Sequence, residues 1–83
     1  MKILYFAWLK EHTGTSTETI TLPDGVTTVA ELIPYITARS ACHKTALANM
    51  DTVRIAVNRV YGDPSSPITD SDEVAFFPPV TGG

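Results

Sequence analysis

Apolar side chains crowd the start of this chain: residues 2 to 9, Lys-Ile-Leu-Tyr-Phe-Ala-Trp-Leu, run almost without a polar break. Such a run suits a strand covered on both faces or a buried helix, and its length and its β-branched and aromatic content predict the strand. Lys10-Glu11-His12-Thr13-Gly14 reads as a short turn closed by glycine. Residues 16 to 22, Ser-Thr-Glu-Thr-Ile-Thr-Leu, alternate polar with apolar toward their end, which predicts a second strand antiparallel to the first.

After the turn signal Pro23-Asp24-Gly25, the segment Thr28-Val29-Ala30-Glu31 has the spacing of a capping box, in which a Thr hydroxyl and a Glu three positions on satisfy helix-start amides. A helix is predicted from near Val29. Val29, Leu32, Ile33 and Ile36 fall at i, i+3, i+4, i+7, one apolar stripe to set against a sheet. Pro34 removes a hydrogen bond and crowds the preceding turn, so a kink or an early end is expected. Residues 40 to 50 are weakly patterned, with a second short helix predicted around Thr45 to Asn49. Val53-Arg54-Ile55-Ala56-Val57 alternates as a third strand, and Asn58-Arg59-Val60-Tyr61 reads as a tight turn into a brief edge strand. The stretch from Gly62 to Pro67 is loop, because its two prolines cannot serve a sheet interior. Asp70-Ser71-Asp72 turns the chain into a final strand, Glu73-Val74-Ala75-Phe76-Phe77, stopped by Pro78 and Pro79.

The order β, β, α, β, short β, β with one long helix predicts an α+β roll in which a mixed sheet wraps one main helix. With 83 residues there is material for one small core and no roomy cleft, since folding at this size removes only about 60 to 65% of the chain's surface from water. Residues 1–79 are taken as the domain and 80–83 as a flexible tail. A net charge of -3 argues against nucleic acid, which is bound by clustered Lys and Arg, and the six basic residues here form no run. No apolar stretch approaches the roughly 20 residues that span a bilayer, and residues 1 to 9 lack the features of a signal peptide. A cytoplasmic protein is expected. Cys42 is the only cysteine, which excludes an internal disulfide and a cysteine-based metal site.

The chemistry is concentrated at the end of the chain. Gly82 and Gly83 build no core and no turn, but without Cβ atoms they can thread a channel too narrow for other residues. Pro78-Pro79 holds the base of the tail extended, so a rigid arm carries a slim tip. The group at that tip is a carboxylate, a poor electrophile until it is converted with ATP to an acyl-adenylate that sulfur or nitrogen can attack. On the dipeptide alone a frayed end is the better explanation, because termini are commonly disordered.

Context changes that weighting. Asp70-Ser71-Asp72-Glu73-Val74-Ala75-Phe76-Phe77-Pro78-Pro79-Val80-Thr81-Gly82-Gly83 resembles the C-terminal signature of the molybdopterin synthase small-subunit family, also called MoaD. Leu4-Tyr5-Phe6-Ala7 with Lys10-Glu11-His12-Thr13-Gly14, Thr28-Val29-Ala30-Glu31-Leu32 and Ala56-Val57-Asn58 are similar to its first strand and turn, its helix start and its third strand. The resemblance implies the ubiquitin-like β-grasp fold. It implies that Gly83 is adenylated by a ubiquitin-activating-like adenylyltransferase that uses ATP, and converted to a thiocarboxylate by a sulfur donor protein. It further implies that the tail, Val80 to Gly83 with Gly82 as its thin neck, enters the large synthase subunit of a heterotetramer and gives sulfur to cyclic pyranopterin monophosphate. No bound cofactor and no metal is implied for the chain itself. Phe6, Lys10, Tyr61, Phe77, Pro78, Pro79, Val80 and Thr81 are the positions it turns toward partners. Two departures are Ser71, where the family usually has Gly and a Cβ would be mildly strained, and a longer loop from Gly62 to Pro67. Related readings are the sulfur carrier of thiamin thiazole synthesis and a ubiquitin-like modifier conjugated through Gly83.

Simpler readings stand beside these. Phe6 and Phe77 could be core residues on adjacent strands, and Trp8 would share a face with Leu4 and Phe6. Cys42 next to His43 suggests a persulfide site only until helix geometry is considered, since adjacent helical residues do not face each other. A plain buried or half-exposed thiol is the expectation. His12 and His43 have no ligand-like spacing, and neither is given a role. Asp72 and Glu73 would point to opposite faces of a strand and so cannot act on one atom.

Overall fold

A computed structural model describes residues 1–79; Val80, Thr81, Gly82 and Gly83 lie outside the described residues, and the expectation of a flexible tail concerns them alone. The chain runs β1 (Lys2–Tyr5), α1 (Trp8–Thr13), β2 (Thr17–Thr19), α2 (Val29–Thr37), α3 (Ala41–Ala46), a 3₁₀ turn (Met50–Thr52), β3 (Arg54–Val57), β4 (Val60–Gly62) and β5 (Glu73–Phe77). The strands form one mixed sheet in the order β2-β1-β5-β3-β4. β5 sits between β1, to which it is parallel, and β3, to which it is antiparallel.

Alternation along each strand decides what the sheet buries. Ile3, Tyr5, Ile55, Val74 and Phe76 face inward and are buried against Val29, Leu32 and Ile36 of α2, the three of which are wholly shielded from solvent. This is the expected α+β roll with one main helix under a mixed sheet. The helix starts where the capping box puts it: Thr28 Oγ1 accepts the Glu31 N–H at 3.3 Å. The reciprocal bond reaches one residue further back, since Glu31 Oε1 accepts the Thr27 N–H at 3.0 Å. The loop expected from Gly62 to Pro67 has a use here. Its Ser66 and Pro64 carbonyls accept the N–H groups of Val29 and Ala30 at 3.1 and 2.8 Å, two of the helix-start amides that have no partner within the helix. The helix runs through Pro34 and stops at Thr37, one turn on.

Several boundaries differ from expectation, Gly62 among them, which pairs with Ile55 at the end of β4 and does not open the loop. β1 ends at Tyr5 and residues 8–13 are a helix, so the apolar run is not strand to Leu9 and Lys10–Gly14 is not a turn. Ala7, at φ 54 and ψ -131, swings the chain off the sheet, Leu9 is buried from the new helix, and Gly14 ends it in the left-handed region with its N–H on the Lys10 carbonyl at 2.9 Å. Trp8 consequently leaves the face of Leu4 and Phe6 and packs edge-on against His12, with ring centroids 5.9 Å apart. β2 is short because Leu22 is drawn off by Asp70 Oδ1, which accepts its N–H at 2.6 Å. The second helix begins at Ala41 rather than Thr45, because Ser40 caps it by accepting the His43 N–H at 3.1 Å. Ser71 is not among the described residues with positive φ, so the strain expected for a Cβ there is absent. Positive φ falls instead at Asn58 and Arg59, the two central residues of the hairpin from β3 to β4, in the sense that matches strand twist.

Candidate functional site

The outer face of the sheet has no helix over it. Leu4, Ala75, Ala56 and Tyr61 are successive cross-strand partners, and they lay one row of side chains from β1 across β5 and β3 to the edge. The next row holds Phe6, just past β1, and Phe77, the partner of Arg54. Because the two central positions of the first row are alanines, the face dips between the aromatic rings. A depression of about 380 Å³ is lined by Leu4, Phe6, Ala56, Arg59, Glu73, Ala75 and Phe77. Beside it a second, of about 470 Å³, is lined by residues of β1 and its flanks together with Lys10, Ser16 and Thr17.

The residues expected to face partners gather here. Phe6 is 49% exposed and Tyr61 73%, and Lys10 is exposed on α1. Phe77 is half-buried with its ring 5.7 Å from that of Tyr61, so neither phenylalanine belongs to the core. Pro78 and Pro79 are half-buried and follow directly on the end of β5. Val80, Thr81, Gly82 and Gly83 fall outside the described residues.

On the inner side lies a polar cluster that sequence reasoning missed. Tyr5 OH donates to Glu18 Oε2 at 2.9 Å, Glu18 Oε1 meets His43 Nε2 at 2.9 Å, and Ser40 Oγ meets His43 Nδ1 at 2.6 Å. Burial first, and then the bond to Glu18, push the Tyr5 hydroxyl far above its ordinary range. The signal was available in part, since Glu18 sits among β2 threonines on the side that register turns inward, opposite Ile3. What no spacing rule supplies is that α3 brings His43 to it.

The remaining candidates are accounted for locally. Cys42 is exposed, not the buried or half-exposed thiol expected, while His43 beside it is buried, as their divergent directions on a helix require. Asp72 is held below the usual carboxylate range by the Asn58 side-chain amide at 2.9 Å and the Thr69 N–H, and Glu73 lies 4.0 Å from Arg59. Among the described residues no group of three His, Cys, Asp or Glu side chains could hold a metal ion, and no helix is long and apolar enough to cross a membrane.

A five-stranded mixed sheet rolled over one main helix, with an open apolar face on its other side, is the architecture of a ubiquitin-like β-grasp domain. The ThiS family matches residues 3–83, and the chain belongs to it. The molybdopterin synthase sulfur carrier subunit of Escherichia coli (strain K12) is 40% identical, over 100% of this chain and 99% of that one. The protein of the same description from Chlamydomonas reinhardtii is 36% identical, over 100% and 98%. In structure the chain is similar to SAMP1, a small archaeal modifier protein of Haloferax volcanii, with a TM-score of 0.79 at 25% identity, covering 100% of this chain and 98% of that one.

Proposed function

We propose that this chain is the sulfur carrier subunit of a molybdopterin synthase, bearing sulfur as a thiocarboxylate on Gly83. The observation that carries the reading is full-length similarity to relatives of that description, in a family match that runs to Gly83 itself. The chemistry asks little of the domain. An activating adenylyltransferase uses ATP: a carboxylate oxygen of Gly83 attacks the α-phosphorus and pyrophosphate leaves; the terminal sulfur of a donor protein's persulfide then displaces AMP, and a thiol reductant cleaves the resulting acyl disulfide to leave the thiocarboxylate and the donor's thiol. Gly82 and Gly83 thread the narrow sites, and Val80, Thr81, Pro78 and Pro79 line the way in. Phe6, Lys10, Tyr61 and Phe77 dock on the large synthase subunit, where sulfur passes to cyclic pyranopterin monophosphate. The chain binds no cofactor of its own, and the work belongs in the cytoplasm where ATP is at hand.

Incubation with the activating enzyme, ATP and a sulfur donor tests this. The chain gains the mass of one oxygen-to-sulfur exchange, on the C-terminal peptide that contains Gly83. Deleting Gly83 abolishes product although the domain folds, because the tail then stops about 3.5 Å short of the reacting centre, where even about 1 Å of misplacement costs about a hundredfold. Cys42→Ala leaves transfer intact. Sulfur found on Cys42, or product from the chain lacking Gly83, overturns the reading. Likeness to a small archaeal modifier favours one second reading, conjugation of Gly83 to lysines of other proteins, which begins from the same adenylate and is recognised after tryptic digestion by target lysines carrying the branch from Val60 to Gly83 that cleavage after Arg59 leaves.

A further inference from the structure

Charge is divided unequally between the two sides of this domain. Of the six Lys and Arg residues, Lys2 and Arg54 lie on the outer sheet face by register, and Lys10 and Arg59 line its depressions. Glu73 is the one acidic residue placed there on the same criteria, so the face is net +3. The remainder holds Arg39 and Lys44 against eight Asp and Glu, net -6, and the two parts make the chain's -3. Only Arg59 has a carboxylate within ion-pair reach among the described residues, and that at 4.0 Å. Arg54 donates to the Asp51 carbonyl at 3.2 Å, and it borders a separate depression that Asp51 and Asp63 also line.

We infer that the protein surface which takes the tail presents an acidic rim around an apolar centre, and that the ring formed by Lys2, Lys10, Arg54 and Arg59 steers this carrier onto it. The inference rests on the docking face of the proposed function and names the chemistry of what docks there. Opposite potentials across an interface raise the rate of encounter more than they lengthen the life of the complex. The division of charge also orients: a chain with one positive face on a negative body turns that face, and with it the tail root at Pro78, toward an acidic partner before contact. A polyanion is the weaker candidate, because the four cations surround aromatic rings rather than form a track, and the negative body repels a phosphate backbone or an anionic membrane.

Two measurements test the inference separately from the functional reading. Association of the full chain with the large synthase subunit is followed by surface-plasmon resonance as salt rises from about 20 to about 200 mM, over which kon falls about tenfold while koff changes little. R54Q/R59Q lowers the low-salt kon about threefold or more and flattens the salt dependence, R54K/R59K retains both, and R39Q/K44Q, on the other side, changes neither. A kon indifferent to salt, or a loss in R39Q/K44Q equal to that in R54Q/R59Q, overturns the inference. In the second measurement hexaglutamate is titrated into the labelled chain, and NMR shifts concentrate at Lys2, Lys10, Arg54 and Arg59. If the large subunit fails to bind at any salt while hexaglutamate maps to that ring, the functional reading falls and the acidic-partner inference stands. Shifts centred on Arg39 and Lys44, or tighter binding of single-stranded DNA or phosphatidylserine vesicles than of hexaglutamate, overturn it.

Discussion

The hydroxyl of Tyr5 donates to Glu18 Oε2 at 2.9 Å, and through this bond a central strand steadies the carboxylate that an edge strand offers to His43. β2 has only three residues, and this contact fastens it to α3 as well as to β1. Removing the carboxylate leaves a buried hydroxyl and a buried imidazole without their partner, at about 1 to 3 kcal/mol for each group left unmet. Glu18→Ala is therefore expected to lower the urea midpoint more than Tyr5→Phe, which loses about 0.5 to 1.5 kcal/mol. On the proposed function, sulfur loading of Gly83 is expected to be unchanged in both, because the cluster lies on the inner side of the sheet.

Stability has an acid and an alkaline limb of different origin. Thr27, chiefly through its N–H, holds Glu31 below its ordinary 4.5, and Asn58 and Thr69 hold Asp72 below 3.8. Carboxyls depressed in the folded state stabilise it above those values and cease to as pH falls through their folded ones. Tyr5 works the other way: raised from 10.0 by burial, it stabilises the fold fully below that value and loses its contribution as pH rises past it. Denaturation midpoints are expected to be flat from about pH 5 to 9 and to fall on both sides. Tyr5→Phe removes its share of the alkaline fall and leaves the acid limb intact.

Phe77→Asp separates docking from folding. The ring is half-buried on an open face, so a carboxylate in its place stays hydrated and the melting temperature drops by no more than about 8 °C, the equivalent of about 1 kcal/mol in a domain of this size. Affinity for the large subunit falls about 30-fold or more, the loss of about 2 kcal/mol that marks a central aromatic anchor. Calorimetry of binding and of unfolding on one preparation measures both.

Ala7 holds a backbone conformation that favours glycine, φ 54 with ψ -131. Ala7→Gly is expected to raise stability by about 0.5 to 1 kcal/mol through relief of strain, and Ala7→Val to lower it by more than about 1 kcal/mol. Urea melts read the difference.

That alanine also explains why the first helix was illegible. A side-chain cap would have announced it, but Ala7 makes no such bond, and its six residues follow the strand without a polar break. Gly14 was the one usable sign, read as closing a turn when it closed a helix. By contrast the start of α2 was plain, since Thr28 and Glu31 are an explicit pair. Leu4 and Phe6, and Ala75 and Phe77, were recognisable by alternation as sharing sides of their strands. The ring of cations was not, because Lys2 and Arg54 come onto one face only through β5 lying between β1 and β3.

The same arrangement has a mechanical meaning. Pro78 and Pro79 follow a strand bonded on both flanks, to β1 along one side and β3 along the other. Tension on the tail is directed along those two ladders, so their bonds are loaded together in shear rather than peeled one at a time from an edge. A pull applied beyond Pro79 therefore spares the body of the sheet.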